Sequence, residues 1–157
     1  AMALLTATSA LANSDSLKPE FVNMLLKPYF ELQASLAGDD FKATKQHASA
    51  FNAMLGHGPS RKDAPALASL EAEAQKIVNA SDIKTAREAF QAISTNLISL
   101  LEQVGTSGDQ AYKMHCPMAF GNKGGTWLQN NAELRNPYFG SMMLHCGMQQ
   151  SVIGKAE

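Results

Sequence analysis

From Leu17 to Val104 apolar residues return at steps of three and four, the spacing of one buried helical face. Leu17 to about Ala37 predicts a first helix with Phe21, Leu25, Pro28, Leu32 and Leu36 on that face. Pro28 has no N–H to give the carbonyl of Met24, which predicts a kink or a break there. Gly38 ends the helix, and Asp39 or Asp40 caps the next. The second helix puts Phe41, Thr44, Ala48, Phe51 and Leu55 on one stripe and closes at Gly56-His57-Gly58-Pro59. Asp63 as cap and Pro65 in the first turn start a third, carrying Leu67, Leu70, Ala74, Ile77 and Val78 to a break at Asn79-Ala80-Ser81. The fourth carries Ile83, Ala86, Phe90, Ile93, Leu97, Leu100, Leu101 and Val104 and stops at Gly105. Four amphipathic helices with short connections predict an all-α fold: an antiparallel four-helix bundle followed by an irregular C-terminal segment of loop and short helix.

The helical period fades from Gln110. Tyr112 to Met118 reads as extended, because Pro117 pushes Cys116 out of helical geometry. An extended run projects Cys116 and Met118 to one side and His115 to the other. Gly121 to Gly125 is a loop, and Trp127 and Leu128 fold back as core or lid residues. Asn136-Pro137 signals a helix start and Gly147 a stop. On a short helix between them Met142 lies one turn from His145 and Cys146, and Met143 one turn from Cys146.

A length of 157 residues predicts one domain, residues 16–157, with a core that needs no staples. Residues 1–15 stand apart: the apolar run ends in Ala10-Leu11-Ala12 before Asn13-Ser14-Asp15, like the tail of a signal peptide or a disordered leader. The chain therefore reads as exported, the alternative being an ordinary Ala-rich first helix. Thirteen basic and fourteen acidic residues with no basic stripe argue against nucleic acid as a partner. No apolar run is long enough to span a bilayer. His47 reads as a boundary residue, His57 as solvated, and Glu71, Glu73 and Glu88 as solvated helix-surface charges. No catalytic constellation stands out, so the chain reads as non-enzymatic. A thiol-redox role for Cys116 is the one catalytic handle, with only His115 beside it to lower its pKa.

The candidate chemistry lies in residues 110–148. They hold both cysteines, the only tryptophan, two of the four histidines and five of the eight methionines. Cys116-Pro117-Met118 and Cys146-Gly147-Met148 repeat a Cys-x-Met unit. Thiolate and thioether are soft donors that select Cu(I) and similar ions over harder cations. Thioethers complete a low coordination number without adding charge, and disulfide formation does not remove them. The same residues admit two blander readings: methionines as adaptable core filling, and Cys116–Cys146 as a disulfide in an interaction module whose Trp127, Tyr138 and Phe139 touch a partner. Zinc is disfavoured because paired Cys-x-x-Cys spacing is missing, and covalent haem because Cys-x-x-Cys-His is missing.

Tyr112-x-x-x-Cys116-Pro117-Met118-Ala119, then Trp127-Leu128, then Arg135-Asn136-Pro137-Tyr138-Phe139-Gly140-Ser141-Met142-Met143-Leu144-His145-Cys146-Gly147 resembles a bacterial domain-of-unknown-function family. Its members occur as standalone exported proteins or fused to periplasmic adaptor subunits of copper/silver efflux pumps. The resemblance implies a periplasmic role in heavy-metal buffering, or in delivery to an efflux system with its adaptor protein as a partner. Carried over residue by residue, it points to Cys116, Met118, Met143 and Cys146 as ligands of copper, as Cu(I), or silver. His115 and His145 lie inside the two phrases and join them as candidate metal residues, while Met142 and Met148 flank the second.

Overall fold

The computed structural model describes residues 17–154. The Ala10-Leu11-Ala12 phrase and the rest of residues 1–16 lie outside them. The helices come first: α1 (Pro19–Ala37), α2 (Phe41–Leu55), α3 (Ala66–Asn79) and α4 (Ile83–Val104). Then follow β1 (Ala111–Cys116), the four-residue α5 (Ala119–Asn122), β2 (Gly125–Gln129), a 3-10 turn (Gly140–Met142) and β3 (Met148–Ile153). The fold is thus mixed: helices followed by a three-stranded antiparallel sheet, in place of the all-α bundle that periodicity predicts.

The four long helices lie where the apolar spacing puts them, each packed on the next, with α4 returning against α1. Helix α1 runs through Pro28 without interruption. An interior proline costs a helix about 3 kcal/mol, whereas each fully buried Leu or Val side chain returns about 1.5–3 kcal/mol. Val22, Leu25 and Leu26 before the proline and Tyr29, Leu32 and Leu36 after it are all fully buried, so packing on both sides outweighs the lost bond. Asp40 caps α2, its carboxylate accepting from the N–H of Ala43 at 2.9 Å. Helix α3 starts later than Asp63, which instead accepts from the Ser60 hydroxyl at 2.6 Å within the preceding turn. Glu71 is paired rather than merely solvated: Arg61 donates to it through two nitrogens and also to the carbonyls of Leu55 and Pro59, fastening the α2–α3 loop. His47 is a boundary residue, 3.6 Å from Glu31.

In the sheet β1 is central, flanked by β2 and β3. Cys116 lies opposite Gly125, Met114 opposite Trp127, and His115 between Thr126 and Met148. The side of β1 bearing Met114 and Cys116 is fully buried, as is Trp127 across from it, in the role its sequence context predicts. Strand β2 docks on α4 and α1, and the N–H of Leu128 donates to the Tyr29 hydroxyl at 3.0 Å. Tyr29 also bonds Ser94 on α4 at 2.7 Å, so one buried phenol joins two helices and the sheet. Asn23 on α1 holds the approach to β1 by two 2.9 Å bonds with Asp109. No helix among the described residues is long and apolar enough to cross a membrane.

Candidate metal centre

The extended reading of residues 112–118 holds as far as Cys116, which ends β1 on its buried side. The partner thiol does not lie on a helix. Between Asn136 and Gly147 only the 3-10 turn Gly140–Met142 forms, where a short helix was expected. Asn136 caps as its sequence position predicts, its Oδ1 accepting from the N–H groups of Tyr138 (2.8 Å) and Phe139 (3.1 Å). Propagation stops at Gly140, which adopts φ +60°, a left-handed geometry that ends a right-handed helix. The chain folds back instead. The Asn136 N–H donates to the carbonyl of Leu144 (2.7 Å), and its Nδ2 donates to that of Cys146 (2.8 Å). One buried amide therefore closes an eleven-residue loop, residues 136–146, and sets where Cys146 stands.

The helices hold this loop from outside. Asp39 accepts from the N–H of Ser141 at 3.0 Å and from Arg87 at 2.7 Å. Arg87 also donates to the carbonyls of Pro137 (2.8 Å) and Leu36 (2.9 Å), and Gln33 donates to that of Arg135 (2.7 Å). The bonds from Ser141, then Arg87, hold the Asp39 carboxyl down to about 2. The ring of Tyr138 packs edge-on against Trp127, and its hydroxyl donates to the carbonyl of Thr126.

The result is a pair of sulfurs, Cys116 Sγ and Cys146 Sγ, 2.9 Å apart. That is wider than the bonded distance of about 2.05 Å in a disulfide. It is closer than two thiolates stand around a shared ion, given metal–sulfur bonds of about 2.3 Å. Cys116 is buried and Cys146 half-buried, and both are free thiols. The hydrogen bond that the Cys146 thiol shares with Cys116, then burial, push it above its usual value.

The two candidate histidines bond elsewhere. His115 projects from the opposite side of β1, with Nδ1 2.9 Å from the Thr126 hydroxyl. His145 is exposed and its Nδ1 lies 2.9 Å from the carbonyl of Leu134. Met118 leaves the strand, sits in the turn after Pro117 and is exposed, so it does not share a strand face with Cys116. Met143 is half-buried in the turn that leads to Cys146, whose N–H donates to the Met143 carbonyl. Met142 and Met148 are exposed, and Met148 is aligned with His115 instead of with either cysteine. Among the described residues no group of three or more His, Cys, Asp or Glu side chains converges to hold a metal. The donor chemistry that remains is a dithiol with methionines on the adjoining turns. It fits a soft ion of low coordination number and does not fit a four-coordinate zinc site.

Asp39, Arg87 and Asn136 shape this site, and the first two escape sequence reading. Asp39-Asp40 after a glycine looks like capping alone, and Arg87 lies 48 residues from the carboxylate it pairs with.

No curated protein and no solved structure matches the chain. A family model matches the helices and not the segment after Tyr112: the match begins within α1 and ends at Asp109, before β1. It takes in residues 25–109, more than half of the chain, and the chain belongs to the family described as Protein of unknown function (DUF3347).

Proposed function

We propose that this protein is an exported, non-enzymatic binder of a soft metal ion, Cu(I) or Ag(I). Cys116 and Cys146 are its thiolate ligands, and it buffers the ion or delivers it to an efflux system in the periplasm. What supports the reading is that the fold brings two sulfurs together, one from a strand and one from a separately anchored loop, at 2.9 Å, from which a small separation admits an ion. Two thiolates supply charge and strong bonds to a soft cation, and Met118 and Met143, two and three residues from them along the chain, are the candidate thioethers. For delivery, the partner we propose is an adaptor subunit of an efflux pump.

The test is titration of the reduced protein with Cu(I) against a competing chelator. The proposal predicts one ion bound per chain, lost in the Cys116→Ser/Cys146→Ser variant. Equal uptake by that variant would overturn it. The same separation also favours a second reading, a disulfide-stapled interaction module without metal. A thiol count on protein from its native host separates the two: no free thiols and no metal favours the staple.

A further inference from the structure

We infer that the two cysteines form a thiol–disulfide exchange pair with divided roles: Cys146 reacts first with an external disulfide, and Cys116 then resolves the adduct. The inference shares its two thiols with the metal reading but requires no metal.

It rests on an asymmetry of exposure joined to a short separation. Cys116 has no accessible surface, so an external reagent cannot reach it in the folded protein. Cys146 is half-buried, carried on a loop whose neighbours Ser141, Met142 and His145 are exposed. In exchange the attacking thiolate, the attacked sulfur and the leaving sulfur line up, so the leaving group needs an open path. Cys146 has Cys116 at 2.9 Å and keeps part of its surface open to solvent. A group bonded to Cys146 from outside can therefore depart outward while Cys116 attacks from within.

The steps balance. The Cys146 thiolate attacks one sulfur of a small disulfide, forming a mixed disulfide and expelling one thiolate, which takes up the proton that Cys146 gave up. The Cys116 thiolate then attacks Cys146 Sγ, forms the Cys116–Cys146 bond and expels the second thiolate, protonated in turn. Two protein thiols are oxidised and one external disulfide is reduced to two thiols. The substrate class is a small disulfide such as oxidised glutathione, and the exchange is stoichiometric. Its product lacks the thiolates that a metal ion needs, so exchange and metal capture exclude one another.

The test uses the full, reduced, metal-stripped chain with excess oxidised glutathione, followed by intact-mass spectrometry. Wild type is expected to lose two hydrogens with no lasting adduct. The Cys116→Ser variant is expected to hold one glutathione on Cys146, and the Cys146→Ser variant to acquire one on Cys116 at least about tenfold more slowly. Adducts forming equally fast on the two variants would overturn the inference, as would a wild type that keeps its adduct. Melting curves show that each variant is folded, and urea-unfolded samples should abolish the rate difference; a difference that survives unfolding also overturns it. Cu(I) titration of the same preparations separates the two claims. Exchange without metal uptake removes the metal reading alone, and uptake without asymmetric exchange removes this one alone.

Discussion

Replacing Gly147 with alanine sets a methyl group 2.8 Å from the carbonyl oxygen of His115 and 3.2 Å from the Trp127 ring, at a backbone φ of +134°. Strain of that kind costs about 1–3 kcal/mol before any clash is counted. Gly147→Ala is therefore expected to lower the urea midpoint clearly and to weaken metal binding together with it, since the residue follows Cys146. Asn136→Ala removes the acceptor of the buried Tyr138 and part-buried Phe139 N–H groups and the donor to the Cys146 carbonyl. Each orphaned group costs about 1–3 kcal/mol. Beyond the loss of stability, Cys146 should become more reactive to alkylation, which a mutation that merely weakens the core would not produce below the melting range. The raised affinity of Cys146 for its proton gives a third outcome at this scale. Metal must displace that proton, so apparent Cu(I) affinity should rise by about tenfold per pH unit for each proton released, up to the thiol range. A flat affinity between pH 6 and 8 would contradict ligation by Cys146.

Among the elements, the loop that carries Cys146 is set by a clamp on the helices more than by its own secondary structure. Asp39 titrates at about 2 in the folded protein, below its ordinary value near 4, because it accepts bonds from Ser141 and Arg87. A depressed carboxylate stabilises the fold above the unfolded value and loses that contribution as pH falls through the folded one. The clamp should thus be intact at pH 5 and weaken between about pH 4 and pH 2. Urea midpoints measured across that range should fall more steeply for wild type than for Asp39→Asn. A tertiary clamp of this kind is not legible in sequence, since Asp39, Arg87 and Ser141 are far apart along the chain. The four long helices are legible because their buried faces repeat every three or four residues, and β1 is legible through Pro117. Strand β3, Met148–Ile153, is not: its residues are mostly exposed and lack alternation, so backbone pairing to β1 alone defines it. The missing helix before Gly147 has a specific cause as well. Asn136 begins a cap, but Gly140 at φ +60° brings its backbone so near Asp39 that a Cβ would lie 1.9 Å from Oδ1.

The helices and the sheet share one core across the whole molecule, in which Tyr29, Phe90 and Tyr138 form a chain of ring contacts ending on Trp127. Unfolding followed by fluorescence of Trp127, the only tryptophan, should therefore coincide with loss of helical circular dichroism. Two separate transitions would mean that the family-matched helices and the sulfur-bearing sheet are energetically independent. Closing the Cys116–Cys146 bond ties residues 30 apart and should stabilise the chain by about 3–4 kcal/mol on the chain-entropy account. The most direct measurement of the central claim is X-ray absorption at the copper edge of the Cu(I)-loaded, reduced protein. Sulfur-only coordination that disappears in the Cys116→Ser/Cys146→Ser variant is the predicted result; a spectrum dominated by imidazole nitrogen, or one unchanged in that variant, would contradict it.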